Sequence, residues 1–288
     1  MIWKLKEGTI EFEDKPIIMG ILNITPDSFY KDSRVMNIKE AVNRTIKFIQ
    51  EGAKIIDIGG QSTRPFSDEI PEEEEIKRVI PIIKAIKSEI PKDIYISIDT
   101  YRSNVAKLAL ESGANIVNDI SGLMFDKNMV KVIKDYNCGV VIMHIRGKPK
   151  NMQENPYYED TIKEVKEELN LRIEYALNNG IKKEQIVIDP GIGFGKRVYD
   201  NLVILKYIDE FFDFELPILI GHSRKSFIGK VLNLENPEDR LIGSVVVSSY
   251  LTLKGINIIR THDVKETKQT IDMIYAILNP ENYLWRFQ

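Results

Sequence analysis

Lys54-Ile55-Ile56-Asp57-Ile58 runs straight into Gly59-Gly60-Gln61-Ser62-Thr63-Arg64. A stretch of strand length, rich in β-branched residues, stops at small, polar and charged ones. The pattern occurs eight times. Residues 17–22 stop at Asn23, 94–98 at Asp99-Thr100, 115–117 at Asn118-Asp119 and 139–143 at His144. Residues 185–188 stop at Asp189-Pro190-Gly191, 217–220 at Gly221-His222-Ser223-Arg224-Lys225, and 257–259 at Arg260-Thr261-His262-Asp263. The polar cluster always follows its run, which predicts eight parallel strands with the chemistry gathered at their C-terminal ends.

Between the runs, apolar residues recur at helical spacing over 38–50, 72–89, 103–111, 127–136, 161–178, 200–212, 237–254 and 264–278. Strict strand–helix alternation implies parallel pairing with right-handed crossovers. Eight units predict a closed (β/α)8 TIM barrel, an α/β fold that uses about 250 residues as a single domain. The open doubly wound sheet is the rival, but it lacks its GxGxxG after the first strand. Residues 2–5 and 10–12 flank Gly8 and predict a short β-hairpin, so the chain divides into a hairpin extension, 1–14, and a barrel, 15–288. Four acids, Glu72 to Glu75, follow Pro71 and read as first-turn residues favoured by the helix dipole.

The 288 residues are 43% hydrophobic with a net charge of −3, which offers no basic footprint for nucleic acid or an anionic membrane. The one cysteine, Cys138, cannot form an internal disulfide and reads as a buried or half-buried structural thiol. No apolar run has the ~20 residues of a membrane span, and the first residues carry no signal-peptide core. The expectation is a cytoplasmic protein. Three connections, 24–36, 61–71 and 145–159, exceed the usual length and leave the C-terminal ends of strands, where lids close over barrel substrates.

Asp99 and Asp189 each follow an apolar run, so each carboxylate should be partly desolvated. Asp99 reads equally as a helix cap. With Asn118 the two acids suit a flat ligand rich in N–H donors, such as an aminopyrimidine edge. Arg64, Lys225, Arg260 and His262 are four potential cations on the same face and suggest an anionic group on the substrate. Ser226-Phe227 opens a short helix, a further place for an anion. The glycines of Gly191-Ile192-Gly193-Phe194-Gly195-Lys196 lack P-loop spacing and read better as letting the backbone approach a ligand. Ser223 and Ser226 lack a nucleophile-elbow GxSxG, and no catalytic triad can be argued. His144 and His222 read as core or rim histidines.

Several of these segments together resemble the dihydropteroate synthase family. They are Met19-Gly20-Ile21-Leu22-Asn23-Ile24-Thr25-Pro26-Asp27-Ser28-Phe29, Asp57 through Pro65, Ser97-Ile98-Asp99-Thr100, Ile116-Val117-Asn118-Asp119-Ile120, Met143-His144, Asp189 through Lys196, Ser223-Arg224-Lys225-Ser226, and Arg260-Thr261-His262-Asp263-Val264. The resemblance implies a transferase of folate biosynthesis. It would join 6-hydroxymethyl-7,8-dihydropterin diphosphate to 4-aminobenzoate by a dissociative displacement without a covalent enzyme intermediate. Asp99, Asn118, Asp189 and Lys225 match the pterin positions, with Met143 as an apolar wall. Asn23, Arg64, Arg260 and His262 match the diphosphate positions, with Asn23 also a ligand of Mg2+. Phe29, Thr63, Pro65, Phe194 and Ser226 match the aminobenzoate side. Asp99, Lys225, Arg260 and His262 would then be catalytic.

Gln61, the glycine-poor 30–34 stretch, Phe66 and His222 depart from the usual family pattern. The resemblance further implies sulfonamide binding and a homodimer formed through late helices, with residues 241–253 apolar enough to contribute. Two other functions share a pterin-binding barrel: a methyltetrahydrofolate:corrinoid methyltransferase, and a non-catalytic pterin-binding paralogue. The first has no need of the cationic Ser62-Thr63-Arg64-Pro65 and Ser223-Arg224-Lys225-Ser226 segments.

Overall fold

The computed structural model describes residues 1–24 and 34–287. Phe29 and most of the first long connection lie outside the described residues. A two-stranded antiparallel hairpin comes first, β1 (Ile2–Lys4) with β2 (Thr9–Glu11). Then strand and helix alternate: β3 (Ile17–Asn23), α1 (Arg34–Gln50), β4 (Ala53–Gly59), α2 (Glu72–Glu89), β5 (Tyr95–Asp99), α3 (Ser103–Glu111), β6 (Ile116–Asp119), α4 (Met129–Tyr136) and β7 (Gly139–Met143). They continue with α5 (Thr161–Asn178), β8 (Ile186–Asp189), α6 (Val198–Lys206), β9 (Leu219–Gly221), α7 (Ser226–Leu232), α8 (Leu241–Leu253), β10 (Ile258–Thr261) and α9 (Val264–Leu278). The sheet runs β8-β7-β6-β5-β4-β3-β10-β9 with every pair parallel. A parallel bridge from Ile188 to Ile218 closes the ring, with the Ile188 N–H donating to the Pro217 carbonyl at 3.0 Å.

Alternation along the strands sorts the apolar side chains into two populations. Ile18, Leu22, Ile56, Ile58, Ile96, Ile98, Ile142, Ile188, Ile220 and Ile259 pack outward with helix residues such as Val79, Ile83, Val105 and Leu169. Met19, Ile55, Tyr95, Ile116, Val141, Val187, Leu219 and Ile258 pack inward with Trp3, Leu5 and Ile10 of the hairpin. The hairpin therefore plugs the N-terminal end of the barrel. Trp3 Nε1 donates to the Gln185 carbonyl at 2.8 Å, and a β-carbon on Gly139 would stand 2.6 Å from Leu5.

Some boundaries move. The predicted 200–212 helix is α6 followed by a 3-10 segment, Ile208–Phe214, and the predicted 237–254 helix begins as 3-10 turn Pro237–Arg240. The polar residues expected to follow the strands instead end them. Asn23 pairs with Gly59, Gly59 with Asp99, Asp99 with Asn118, Met143 with Asp189, and Arg260 with Gly221. A strand continues as long as its neighbours supply ladder partners, whatever the polarity of the side chain. Cys138 is buried, and burial pushes its thiol up to about 12. Of the acids opening α2, Glu75 is buried and pairs with Arg102 at 2.8 Å, tying the helix to the connection after β5.

Candidate active site

The row Asn23, Gly59, Asp99, Asn118 crosses four adjacent strands at the C-terminal mouth of the barrel. Strand ends hold these groups more rigidly than loops would. Two members of the mouth lack side chains, and space results. A β-carbon on Gly59 would stand 3.5 Å from Asp99 Cβ and 3.8 Å from Asn23 Oδ1, and one on Gly221 would stand 3.6 Å from Arg260 Cδ.

Arg260 reaches across the mouth between two carboxylates. Its Nε donates to Asp57 Oδ2 at 2.6 Å and its Nη2 to Asp99 Oδ2 at 2.6 Å. Asn118 Nδ2 donates to the same Asp57 oxygen at 3.1 Å. Asp57 Oδ1 and Asp99 Oδ1 are buried without a partner. A ligand bearing N–H donors would satisfy such oxygens, and leaving them unmet is costly. Burial pushes the Asp99 carboxyl up to about 7, although Arg260 pulls the other way. Asp99 does not cap α3, because the first amide there, that of Ser103, donates to Asp126 Oδ2 at 2.8 Å.

Asp189 is buried, its Oδ1 accepting the Gly191 N–H at 2.7 Å, and burial raises its carboxyl above the ordinary range. Facing it, Lys225 is brought down to about 8 by burial, against the attraction of Asp189. Lys225 Nζ donates to the Ile192 carbonyl and lies 4.5 Å from the centre of the Phe194 ring. Phe194 packs with Met143, Ile120, Ile145 and Met152 in an apolar cluster. An apolar wall, two acids and an amine thus lie together at the mouth.

His262 lies beyond Arg260 on the same strand end, with its Nδ1 3.1 Å from Ser223 Oγ. Burial lowers it to about 3, with Arg260 adding to the effect, so the group read as a cation from sequence is a neutral imidazole here. Beside it Asp263 grips Arg224 through Nε at 2.9 Å and Nη2 at 2.7 Å. That holds Arg224 at φ 56°, an unfavourable value for a side-chain-bearing residue, and sets Lys225 and Ser226 at the start of α7. Ser226 is exposed.

The second long connection carries Thr63, half-buried, and Arg64 and Pro65, both exposed. Among the described residues the Arg64 guanidinium has no ion pair. Phe66, where the resemblance implied a glycine, sits at φ 64°, a backbone value that favours glycine, and its N–H donates to the Pro149 carbonyl at 3.1 Å. The departure at Gln61 leaves an amide that donates to Tyr101 Oη at 2.9 Å. The glycines after Asp189 also serve contacts within the protein, and a β-carbon on Gly193 would stand 3.0 Å from Lys225 Cδ. A β-carbon on Gly191, at φ 72°, would stand 1.8 Å from the His144 carbonyl oxygen, and one on Gly195 would stand 2.4 Å from that of Arg146. Gly191 and Gly195 let two connections of the protein pack on each other.

Sequence reasoning missed Asp57. It lies inside an apolar run, and only its shared parity with Ile55 and Gly59 marks it as inward-facing. Among the described residues no group of three or more His, Cys, Asp or Glu could hold a metal, and no helix is long and apolar enough to cross a membrane.

A parallel barrel with buried acids, an amide, an arginine and a lysine interleaved at its C-terminal mouth has the character of a pterin-binding enzyme. The model of the pterin binding enzyme family matches residues 19–262. The chain is 40% identical over 273 residues to the dihydropteroate synthase of Escherichia coli, covering 95% of each. It is 43% identical over 277 residues to that of Clostridium beijerinckii, covering 95% of this chain and 99% of the other. The crystal structure of Yersinia pestis dihydropteroate synthase with a sulfonamide drug superimposes with a TM-score of 0.90 at 37% identity, over 97% of this chain and 100% of that one. That of the Xanthomonas albilineans enzyme in complex with 7,8-dihydropteroate gives 0.84 at 33% identity, over 94% and 96%. The chain belongs to the dihydropteroate synthase family.

Proposed function

We propose that the chain joins 6-hydroxymethyl-7,8-dihydropterin diphosphate to 4-aminobenzoate, releasing diphosphate and 7,8-dihydropteroate, by a dissociative displacement. The observation that carries this reading is the buried pair of unpartnered oxygens on Asp57 and Asp99, set across the mouth from Lys225 and beside Arg260. Asp189 takes the 2-amino and N3 hydrogens of the pterin, Asn118 and Asp99 the N1/N8 side, and Lys225 the ring carbonyl and N5. Met143 and Phe194 supply the apolar wall. Asn23, Arg64, Arg260 and His262 receive the diphosphate, which requires Arg260 to exchange a carboxylate partner for a phosphate.

As the methylene C–O bond breaks, both electrons leave with diphosphate and positive charge spreads into the pterin ring. Asp99, ionised and close to that ring, stabilises the charge. The aniline nitrogen of 4-aminobenzoate then forms the C–N bond and loses a proton to solvent. No side chain is needed as a nucleophile, consistent with the lack of an activated serine. Thr63, Pro65, Ser226 and Phe29 flank the aminobenzoate, where sulfonamides compete, and the long connections exclude water from the cation.

Magnesium suits the residues present. Asn23 offers a hard oxygen at the mouth, and magnesium draws its other ligands from substrate phosphates and water rather than from an acidic cage. Bound there, it would neutralise charge on the departing diphosphate.

Self-association belongs to the same reading. Ile242, Val246, Tyr250 and Leu253 form an exposed stripe on α8, beside exposed Met273 and Ile277 of α9. A second copy would cover that stripe. A double charge substitution, Ile242→Glu with Val246→Glu, should give monomers in sedimentation analysis, and unchanged mass against wild type would refute this interface.

The deciding assay mixes purified protein with both substrates and magnesium and follows diphosphate. Release should depend on aminobenzoate and stop with a chelator. Release no greater than in the aminobenzoate-free control would refute the synthase reading.

A further inference from the structure

His144 and Lys196 are buried and take no part in the reaction described above. The His144 N–H donates to the Asp189 carbonyl at 2.8 Å, joining the ends of β7 and β8. Its side chain lies behind the sheet, with Nε2 3.0 Å from Glu168 Oε2 on α5 and Nδ1 2.8 Å from Lys196 Nζ. Lys196 also donates to the Phe194 carbonyl at 3.1 Å. The proton positions follow from the partners. Burial opposes ionisation of Glu168, but hydrogen bonds from His144 and Arg146 hold it down to about 2, so it is a carboxylate that needs a donor. Burial, and then Lys196, keeps His144 neutral by lowering it to about 3. The single ring proton therefore sits on Nε2, and Nδ1 accepts from Lys196.

The result is a continuous chain from Glu168 through His144 and Lys196 to the backbone of Phe194. Each end of the loop after β8 that this chain supports touches the pterin cleft. At one end the Gly191 amide holds Asp189 Oδ1 at 2.7 Å, and a β-carbon on Gly191 would stand 3.3 Å from Lys196 Nζ. At the other end the Phe194 ring lies 4.5 Å from Lys225 Nζ. Nothing in the chain touches Arg260, His262 or Asn23.

We propose that Lys196, held by His144 and Glu168, is a positioning residue that fixes the 190–196 loop so that Asp189 and Phe194 keep their aim at the pterin; this rests on reading the mouth as the pterin site. Lys196→Met retains the buried stem and removes the donors. It should weaken pterin binding in calorimetry, and raise the KM for pterin diphosphate, by about 10-fold, while the aminobenzoate KM and kcat change by less than about 3-fold. Lys196→Arg, which restores donors, should recover part of the loss. Nitrogen-15 spectra of the three histidines should show His144 protonated at Nε2 in both the wild type and Lys196→Met, with the Nδ1 resonance shifted in the variant because that nitrogen has lost its donor.

Unchanged pterin affinity in Lys196→Met, or a parallel loss in every kinetic constant with a lower Tm, would overturn the proposal. If that variant does not fold, Glu168→Gln carries the test, and it should shift pterin affinity in the same direction; no shift overturns the proposal. Wild-type protein that binds no pterin overturns the reading of the mouth itself, and the proposal with it. Wild-type binding that Lys196→Met matches overturns only the positioning role.

Discussion

Arg260 couples the two acids of the mouth. It stands between Asp57 and Asp99, so neither acid can be treated alone. Removing one partner of a buried pair costs more than the pair is worth, commonly about 3–5 kcal/mol. Arg260→Met should therefore lose stability by that order in urea denaturation as well as activity. Asp99→Asn should lower turnover more than pterin affinity, because charge on that oxygen matters chiefly as the ring becomes cationic. Calorimetry that finds pterin affinity lost, with turnover per bound complex intact, would contradict that role. The free enzyme's pH profile follows from two groups. Asp99, pushed up to about 7, must be ionised, and Lys225, brought down to about 8, must keep its proton. The pH dependence of kcat/KM should be a narrow bell between those limits, and Lys225→Met should abolish the alkaline limb.

At the scale of elements, the connections after β7 and β8 act as one unit, and glycine makes that possible. Gly191→Ala would place a methyl group 1.8 Å from the His144 carbonyl oxygen at φ 72°. Gly255 has a similar φ of 76° but nothing within 4 Å of a β-carbon. Gly255→Ala should cost only about 1 kcal/mol of backbone strain, and Gly191→Ala clearly more. Paired urea titrations check the difference; equal losses would show that the two connections separate easily. The helices were legible from periodicity, since α2, α3, α5 and α9 begin and end where the pattern predicts. The break in the 200–212 segment was not, because apolar spacing is similar for α and 3-10 turns and tertiary packing decides between them.

For the whole molecule, the hairpin plug adds to the core and the buried histidines make stability depend on pH. Trp3 is wholly buried against the barrel floor, and Trp3→Ala should cost about 3–5 kcal/mol by chemical denaturation. His144 and His262 fall to about 3, and His222, which bonds to the Ser244 carbonyl and Ser248 Oγ of α8, to about 4, all mainly through burial. Their folded values lie below the unfolded one near 6.5, so the unfolded chain binds more protons in that window. Each histidine should therefore remove up to about 1.4 kcal/mol of stability per pH unit as pH falls from about 6.5 towards 4. Asp99 acts in the opposite direction over part of the range, since its raised carboxyl favours the folded state more as pH falls. Denaturation midpoints across pH 4–7 measure the balance, and His222→Gln should flatten the acid slope.

The sequence alone determined the architecture and the face that carries chemistry. Eight apolar runs alternating with amphipathic helices, with no GxGxxG after the first, favour a closed parallel barrel over an open doubly wound sheet, and side-chain parity then aims Asn23, Asp99, Asn118 and Asp189 into one mouth. Local pattern carries such information because strand alternation and helix period are properties of neighbouring residues. Tertiary structure decided the pairings. Asp57 and Arg260 are 203 residues apart, His144 meets Lys196 and Glu168 from different elements, and His262 is held neutral mainly because folding removes water from it, with Arg260 adding to the effect. Burial and long-range partners set those charges and contacts, and neither is a property of any short stretch of chain.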